Sequence, residues 1–289
     1  MPLVLVPTPL GNLGDITLRA LETLRSADLV VAEDTRVTRK LLNALGVGSK
    51  ELWSYREQNA DGATPGILQR AASQLVAVVT DAGMPGISDP GEDLVAAARA
   101  ASIAVEVLPG PSAVLGAAVL SGFPLRRFAF EGFPPRGSSA RKAAFTHALR
   151  IGATTVWYES PQRILHSLDD LAAVAPDAQV FLVREYTKKF EQQVLGLPRE
   201  VAAALEEPVR GEITFVIAPR DVAAEQHEMR IDDETIDALL DQGESVRDIA
   251  KQLSEKSGAD RRELYERASK RKNARGMGRR NRAEEQRPE

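Results

Sequence analysis

The chain contains no cysteine and only three histidines. The absence of cysteine excludes disulfides, thiolate zinc sites, iron–sulfur clusters and a cysteine nucleophile. His147, His166 and His227 are far apart and lack the spacing of metal ligands. We therefore expect no metal in the functional site, and surface or packing roles for the three histidines.

Long apolar runs are also missing. No run approaches the roughly 20 residues that a membrane-spanning helix needs, and residues 1–6 lead into a strand pattern with no basic segment before it. We expect a soluble, unsecreted, cytoplasmic protein. With 289 residues and 43% hydrophobic content, two domains are a better expectation than one.

Charge is distributed unevenly along the chain. Residues 261–289 contain 11 of the 37 Lys and Arg but 5 of the 41 Asp and Glu, so their net charge is 11 − 5 = +6 and the rest of the chain is 26 − 36 = −10. A basic segment on an acidic body suggests an anionic partner. The alternative is a solvated, disordered tail.

The hydrophobic pattern predicts two α/β domains. In the first, strands at 3–6, 28–32, 51–54, 75–80 and 103–108 alternate with helices at 17–26, 35–45 and 92–102, which indicates a mainly parallel sheet. In the second, strands are predicted at 128–131, 154–158, 180–184, 192–195 and 212–218, with helices at 138–150, 162–174 and 198–206. The short connection between 180–184 and 192–195 favours an antiparallel pair and a mixed sheet.

A small helical unit is predicted after these domains. Three apolar faces lie on successive helices, and they consist of Ile236, Leu239 and Leu240, then Val246, Ile249, Ala250 and Leu253, then Leu264, Tyr265 and Ala268. This arrangement is typical of a helix-turn-helix-like unit. The predicted boundaries are 1–121 and 122–220 for the α/β domains, 231–270 for the helical unit and 271–289 for a basic, disordered tail.

The glycine-rich loop 80–91 is the main candidate for a ligand site. It follows a strand and holds three glycines, two prolines and two aspartates. Glycines let backbone N–H groups approach a ligand, and loops at the carboxyl ends of parallel strands bind ligands in open α/β sheets. A rigid connection without a ligand is an equal alternative. Residues 109–113 repeat the pattern of a strand followed by a loop and a helix. Ser112 is expected either to contact a ligand or simply to cap the helix.

The first turn, residues 7–15, is not a dinucleotide-binding fingerprint. Glu33 lies at a suitable distance for a ribose-binding acid. However, Pro9 occupies the position of the first glycine, and no helix begins before about Thr17. Nicotinamide or flavin binding is therefore disfavoured.

Basic residues are concentrated in two further segments. In 126–150 they are Arg126, Arg127, Arg136, Arg141, Lys142 and Arg150, against only one acidic residue. They indicate a candidate RNA surface, with a solvated face as the alternative. Phe130 and Phe133 in the same segment are predicted to pack in the core. The second segment, 184–191, lies in a turn between strands, which exposes it at a rim.

Taken together, the loops resemble the ribosomal RNA small subunit methyltransferase I family of the tetrapyrrole methylase superfamily. The resemblance spans roughly residues 3–270, and its motifs are 8–20, 32–36, 81–83, 88–91, 108–113, 158–161 and 184–188. It implies two α/β domains with S-adenosylmethionine between them, a homodimer, and 2′-O-methylation of a decoding-centre cytidine in 16S rRNA of the small ribosomal subunit. The sequence departs from the family pattern at Thr80, Met84, Gln162 and Arg56.

The resemblance also assigns site residues. Cofactor binding is expected at Asp81, Ala82, Gly83, Pro85, Ile87, Ser112, Ala113, Tyr158, Glu212 and Thr214. Because a ribose hydroxyl is a poor nucleophile until it loses its proton, we expect Glu185 or Lys188 to assist deprotonation and Arg36 to hold phosphate. Substrate-binding residues are expected to be Asp15, Glu33, Asp34, Arg36, Arg141 and Lys142. Capping of the helix 35–45 is the alternative role for Glu33 and Asp34.

Two other functions fit part of the pattern. A small-molecule methyltransferase of the same superfamily, acting on a corrinoid or tetrapyrrole precursor, would use the same cleft but needs neither the basic tail nor the helical unit. A non-catalytic RNA-binding protein would need the basic segments but not the loop 80–91.

Overall fold

The first sheet consists of five short strands that are all paired in parallel. They are β1 (Leu3–Leu5), β2 (Leu29–Ala32), β3 (Glu51–Ser54), β4 (Val76–Val79) and β5 (Val105–Val107), in the order β3-β2-β4-β1-β5. The three central strands are apolar throughout because helices cover both faces of the sheet. This computed structural model describes residues 2–220, 233–257 and 260–285.

Five helices accompany this sheet. They are α1 (Leu18–Ser26), α2 (Thr35–Ala44), α3 (Ala60–Ala71), α4 (Glu92–Ala100) and α5 (Ala113–Leu120). The sequence did not predict α3, because Gly62, Pro65 and Gly66 disfavour a helix. Burial of Ile67 and Ala71 against the sheet overrides that local preference.

The second sheet is mixed, as predicted. Its strands are β6 (Phe128–Gly132), β7 (Thr154–Glu159), β8 (Val180–Arg184), β9 (Gln192–Gly196) and β10 (Ile213–Ile217), in the order β6-β7-β10-β8-β9. Only β6 and β7 are parallel to each other. Helices α6 (Ser138–Arg150), α7 (Ile164–Val174) and α8 (Pro198–Ala203) accompany it. Phe145, Trp157 and Phe215 form its aromatic core, with Trp157 stacked on Phe215 at 6.2 Å.

Helix α5 connects the two halves. It is apolar on all sides, and the face that contains Val114, Ala117 and Ala118 packs on the second sheet against Val156 and Val216. Its opposite face exposes Leu115 and Val119 to solvent. The loops at the start of α5 therefore stand between the two sheets, where the candidate site lies.

Residues 1–220 form one compact unit, and residues 221–289 form a second. The second unit contains α9 (Asp233–Asp241), α10 (Val246–Ser257) and α11 (Arg261–Glu285). Its core uses the predicted apolar faces, except that Tyr265 is 48% exposed. Helix α11 continues to Glu285, through most of the segment predicted as a disordered tail, because Arg, Lys, Glu and Ala favour helix even without an apolar face. Residues 286–289 lie outside the described residues. None of the described helices is both long and apolar enough to cross a membrane.

Candidate functional site

A cavity of about 390 Å³ lies between the two sheets, and we call it the main cavity. It is bounded by the glycine-rich loop 80–91, the start of α5, and the ends of β7 and β10. Its lining residues are Leu10, Glu33, Asp81, Ala82, Gly83, Met84, Ile87, Ser88, Asp89, Ser112, Ala113, Phe133, Tyr158, Glu159, Ser160, Pro161, Gly211, Glu212, Ile213 and Thr214. Its size falls in the range of small-molecule pockets, roughly 300–1,000 Å³.

The glycine-rich loop is fixed to the first turn of the chain. Thr8 and Gly83 exchange two backbone hydrogen bonds of 2.9 and 3.0 Å, and the Thr8 hydroxyl donates to the Thr80 carbonyl at 3.2 Å. Gly83 has φ +80°, and a Cβ atom there would stand 3.1 Å from Leu10. Glycine is therefore required at this position by both its backbone conformation and the close approach of Leu10.

Almost all of the residues predicted to bind the cofactor line this cavity. They are Asp81, Ala82, Gly83, Ile87, Ser112, Ala113, Tyr158, Glu212 and Thr214. Pro85 is the exception, since it is buried and does not line the cavity. Ser112 also caps α5, because its side chain accepts a hydrogen bond from Leu115 N. The capping and lining roles of Ser112 thus coexist.

Asp89 is a residue of the site for which the sequence predicted no role. This carboxyl lines the main cavity, and burial together with the nearby charge of Glu33 raises its pKa to about 7. Asp89 belongs to the motif 88–91 of the family resemblance, which could have pointed to this residue. The neighbouring charges that raise the pKa of Asp89, such as Glu33, come from other segments of the chain. A carboxyl with this pKa can exchange a proton near neutral pH.

The main cavity is strongly acidic. Burial raises the pKa values of Glu33 and Asp81 above their ordinary range, and burial beside Asp89 raises the pKa of Tyr158 to about 12. None of the described residues that line the cavity is Lys or Arg. Several carboxylates without a lining cation favour a positively charged ligand.

Phe133 also belongs to the site, which corrects the prediction that it packs in the core. It is 54% exposed, lines the main cavity and contacts the ring of Tyr158 at 5.6 Å. Phe130 does pack against the second sheet as predicted. The two phenylalanines differ because β6 ends between them, at Gly132, and Phe133 no longer follows the alternation of the strand.

Asp34 has the capping role that was the alternative prediction, and it also pairs with Arg36. It caps α2 by accepting from Arg36 N at 2.8 Å, and it pairs with the Arg36 guanidinium through both oxygens. The hydrogen bonds from Arg36 hold the pKa of Asp34 far below its usual range. Arg56 adds a contact of 3.3 Å to Asp34, so the charge of this carboxylate is compensated at the rim.

Glu185 and Lys188 lie together with Glu212 at the end of the second sheet. The Lys188 ammonium contacts carboxylate oxygens of Glu185 and Glu212, each at 2.9 Å. Burial alone would lower the pKa of Lys188, but these two hydrogen bonds outweigh it and raise the pKa. Burial would raise the pKa of Glu185, but the bonds from Glu212 N and Lys188 outweigh it and lower the pKa. Lys188 is therefore a firmly held cation that is not suited to accepting a proton, and the two carboxylates already compensate its charge.

A second cavity of about 300 Å³ adjoins the main one. Its lining residues are Leu10, Asp15, Thr17, Gly110, Pro111, Ser112, Tyr186 and Thr187, so the two cavities share Leu10 and Ser112. Asp15, predicted to bind substrate, thus lies at this second cavity and Glu33 at the main one.

Arg141 does not fit its predicted role in substrate binding. Its side chain is 6% exposed and pairs with the buried carboxylate of Asp170 at 2.6 Å. The same guanidinium donates to the carbonyls of Pro135 and Arg136. Since its polar atoms are turned into the protein, Arg141 holds the start of α6 against α7. Lys142, the next residue, is 41% exposed and remains available at the surface.

Within residues 2–220, 233–257 and 260–285, no group of three His, Asp or Glu side chains is placed to hold a metal ion.

Comparisons with known proteins place the chain among methyltransferases. The family model for Tetrapyrrole (Corrin/Porphyrin) Methylases matches residues 2–202. A Streptococcus pyogenes serotype M1 protein named ribosomal RNA small subunit methyltransferase I is 39% identical over 269 residues, which cover 91% of this chain and 93% of that protein. A Thermotoga maritima protein of the same name is 42% identical over 222 residues, covering 76% of this chain and 99% of the relative.

Solved structures share the fold. A diphthine synthase matches with a TM-score of 0.60 at 17% identity, covering 75% of this chain and 90% of that one. The uroporphyrin-III C-methyltransferase from Thermus thermophilus, solved in complex with S-adenosyl homocysteine, matches with a TM-score of 0.53 at 20% identity, covering 75% and 97%. At these identities the likeness extends to the fold only.

Proposed function

Because this chain belongs to the tetrapyrrole methylase family, and within it to the ribosomal RNA small subunit methyltransferase I group, we propose that it methylates 16S rRNA with S-adenosylmethionine. The specific target is the ribose 2′-oxygen of a decoding-centre cytidine in the small ribosomal subunit. The observation that carries the proposal is a sequence identity of 39% to a relative of that name, in a match that covers 93% of the relative. The main cavity supports it through its position and charge.

The residues of the main cavity fit the methyl donor. S-adenosylmethionine supplies a methyl group bound to a positively charged sulfonium. Glu33, Asp81, Asp89 and Glu212 give the cavity the opposite charge. Apolar side chains, among them those of Leu10, Met84, Ile87 and Phe133, offer surface for a purine ring. The backbone of 81–83 and the side chains of Ser112, Tyr158 and Thr214 provide polar contacts.

Three of the four departures from the family pattern, those at Thr80, Met84 and Arg56, are compatible with this fit. Met84 contributes an apolar side chain to the cavity, and Thr80 is buried beneath the loop. Arg56 donates to the Glu33 carbonyl at 2.8 Å and contacts Asp34, so it orders the rim.

The acceptor hydroxyl must lose its proton as its oxygen bonds to the methyl carbon. Asp89 lines the main cavity and has a pKa of about 7, so it can receive that proton where the acceptor hydroxyl reaches into this cavity. Lys188 fixes the carboxylates of Glu185 and Glu212, the second of which lines the main cavity. Arg36, 81% exposed, is placed to contact RNA phosphate.

A large RNA substrate suits the charged surfaces outside the cavities. Lys142 and exposed arginines of 126–150 offer phosphate contacts on the first unit, and the basic helix α11 offers them on the second. Each phosphate contact makes binding more sensitive to salt. It adds about 0.9 to the slope with which the logarithm of the binding constant falls as the logarithm of the salt concentration rises. Small subunits occur in the cytoplasm, where we place the protein.

The chain is also proposed to act as a homodimer. Leu115 and Val119 lie one turn apart on α5 and are 55% and 69% exposed, which is the apolar surface that a second copy would cover. Sedimentation equilibrium of wild type and Leu115→Glu tests this. A monomeric wild type, or an unchanged dimer in the variant, contradicts it.

Methyl transfer to purified small ribosomal subunits tests the function. Labelled S-adenosylmethionine should mark one cytidine, and mapping should find the methyl on its 2′-oxygen. Transfer to a corrinoid or tetrapyrrole precursor instead would indicate a small-molecule enzyme. Calorimetry provides the complementary test, since no binding of the cofactor at millimolar concentration would leave only a non-catalytic RNA-binding role.

A further inference from the structure

The turn between β8 and β9 carries backbone strain at two positions. Glu185 has φ +54° and Thr187 has φ +66°, a left-handed conformation that side chains other than glycine rarely adopt and that is least favourable for β-branched residues. Contacts on both sides maintain it. Glu185 N donates to the Glu212 carbonyl at 2.9 Å, and Thr187 N donates to a carboxylate oxygen of Glu191 at 2.8 Å. Strain that is maintained in this way occurs preferentially at functional sites.

The strained turn presses against the first half of the chain. The ring of Tyr186 lies so close to Gly116 that a Cβ atom on Gly116 would stand 2.4 Å from it. A Cβ atom on Gly11 would likewise stand 3.2 Å from Thr187 Oγ1. The backbone conformation therefore aims Tyr186 and Thr187 into the junction where the second cavity lies.

Among the described residues, the Thr187 hydroxyl has no hydrogen-bond partner. Its oxygen is buried and makes no hydrogen bond with any described residue. A buried hydroxyl without a partner costs free energy in the absence of a ligand. Thr187 lines the second cavity, so a ligand in that cavity can supply the missing partner.

We propose that the second cavity receives the ribose of the target nucleotide, with the Thr187 hydroxyl and the Asp15 carboxylate bonding to the sugar. This inference rests on the proposed function and specifies where its acceptor lies. Because the two cavities share Leu10 and Ser112, a sugar in the second one would lie next to a methyl donor in the first. Tyr186 offers a ring against which the nucleotide can pack.

The chemistry of the lining selects a sugar over a phosphate. Thr17, Ser112 and Thr187 contribute hydroxyls and Asp15 a carboxylate, while none of the described lining residues is Lys or Arg. A carboxylate repels phosphate, but it accepts hydrogen bonds from ribose hydroxyls, which act as both donors and acceptors. The phosphates would lie outside the cavity.

Thr187→Val tests the inference, because it replaces the hydroxyl by a methyl group of nearly the same shape. No hydrogen bond to a residue that the structure describes is lost, so stability should stay the same or rise. Affinity for S-adenosylmethionine should also be unchanged. The KM for small subunits should rise about 3- to 10-fold, the loss expected for one hydrogen bond.

A matched control is available at Thr38. Its hydroxyl, on α2, is also buried and without a partner, and it lines neither cavity. Thr38→Val should leave KM and kcat unchanged. Asp15→Asn, at an exposed position, provides the second variant and should raise the KM for small subunits at unchanged cofactor affinity.

The outcomes separate the two proposals. If wild type transfers no methyl group to small subunits, the proposed function fails and the ribose site with it. If wild type is active but Thr187→Val and Asp15→Asn both keep the wild-type KM, only the assignment of the second cavity is overturned. A rise in KM that Thr38→Val reproduces equally would also overturn it, since the effect would then not depend on the cavity.

Discussion

Replacing Arg141 by alanine should destabilise the first unit without altering its contacts with RNA. The side chains of Arg141 and Asp170 are 6% and 10% exposed, so removing the arginine leaves a buried carboxylate without its main partner. Breaking a buried pair in this way costs about 3–5 kcal/mol. The lower end applies, because Ser138 still donates to Asp170 at 2.7 Å and Lys142 remains at 3.4 Å. For a unit of this size, a loss of about 3 kcal/mol lowers Tm by roughly 6–12 °C.

Urea unfolding followed by tryptophan fluorescence measures this loss, since Trp157 is in the core of the second sheet. Lys142→Ala is the matched control on the adjacent residue. Lys142 is 41% exposed, so its removal should cost less than about 1 kcal/mol. Arg141→Met combined with Asp170→Leu should recover most of the stability lost in Arg141→Ala, because no buried charge remains unpaired.

RNA binding should show the opposite pattern. The salt dependence of binding to small subunits should be unchanged in Arg141→Ala, and in Lys142→Ala its slope should fall by about 0.9, the contribution of one phosphate contact. If Arg141→Ala were as stable as wild type while its salt slope fell, the reasoning from burial would be refuted and the arginine would be an RNA contact after all.

Two further predictions concern the cavities. Asp89→Asn should stabilise the protein by roughly 2 kcal/mol at pH 8 and by much less at pH 5. The carboxyl has a pKa of about 7 in the folded protein and about 4 in the unfolded chain, so its ionisation increasingly disfavours the native state as the pH rises from 4 to 7. The value of roughly 2 kcal/mol includes a reduction by about half because the carboxyl is partly exposed. Urea titrations at both pH values check this, and an equal gain at each would contradict it. Gly116→Ala should displace Tyr186, which a Cβ atom would approach to 2.4 Å, and so cost about 1–3 kcal/mol and raise the KM for small subunits. Gly62→Ala, in α3 with no atom within 4 Å of the new Cβ, should instead preserve or raise stability, and a similar loss in both variants would show that the contact with Tyr186 is not the cause.

The local pattern of the sequence determined the two sheets and the loop that bounds the main cavity. Apolar runs followed by glycine and proline give strands that end in rigid loops, and the spacing of those runs distinguishes parallel from antiparallel connections. These patterns depend only on residues that are close in sequence, so they can be recognised without knowledge of the rest of the fold. The same holds for Asp34 and Ser112 as helix caps, since a cap depends on the next few residues.

The tertiary structure alone decided the burial and the electrostatic surroundings of individual side chains. Arg141 and Lys142 are adjacent and both basic, yet packing of α6 on α7 buries one and exposes the other. The pKa of Asp89 depends on Glu33 and on other carboxylates that long-range folding brings together. The second cavity is lined by residues of the strained turn together with the first turn and residues 110–112, which are distant in sequence. Burial and electrostatic coupling between distant segments cannot be read from local spacing, and they decide the chemistry here.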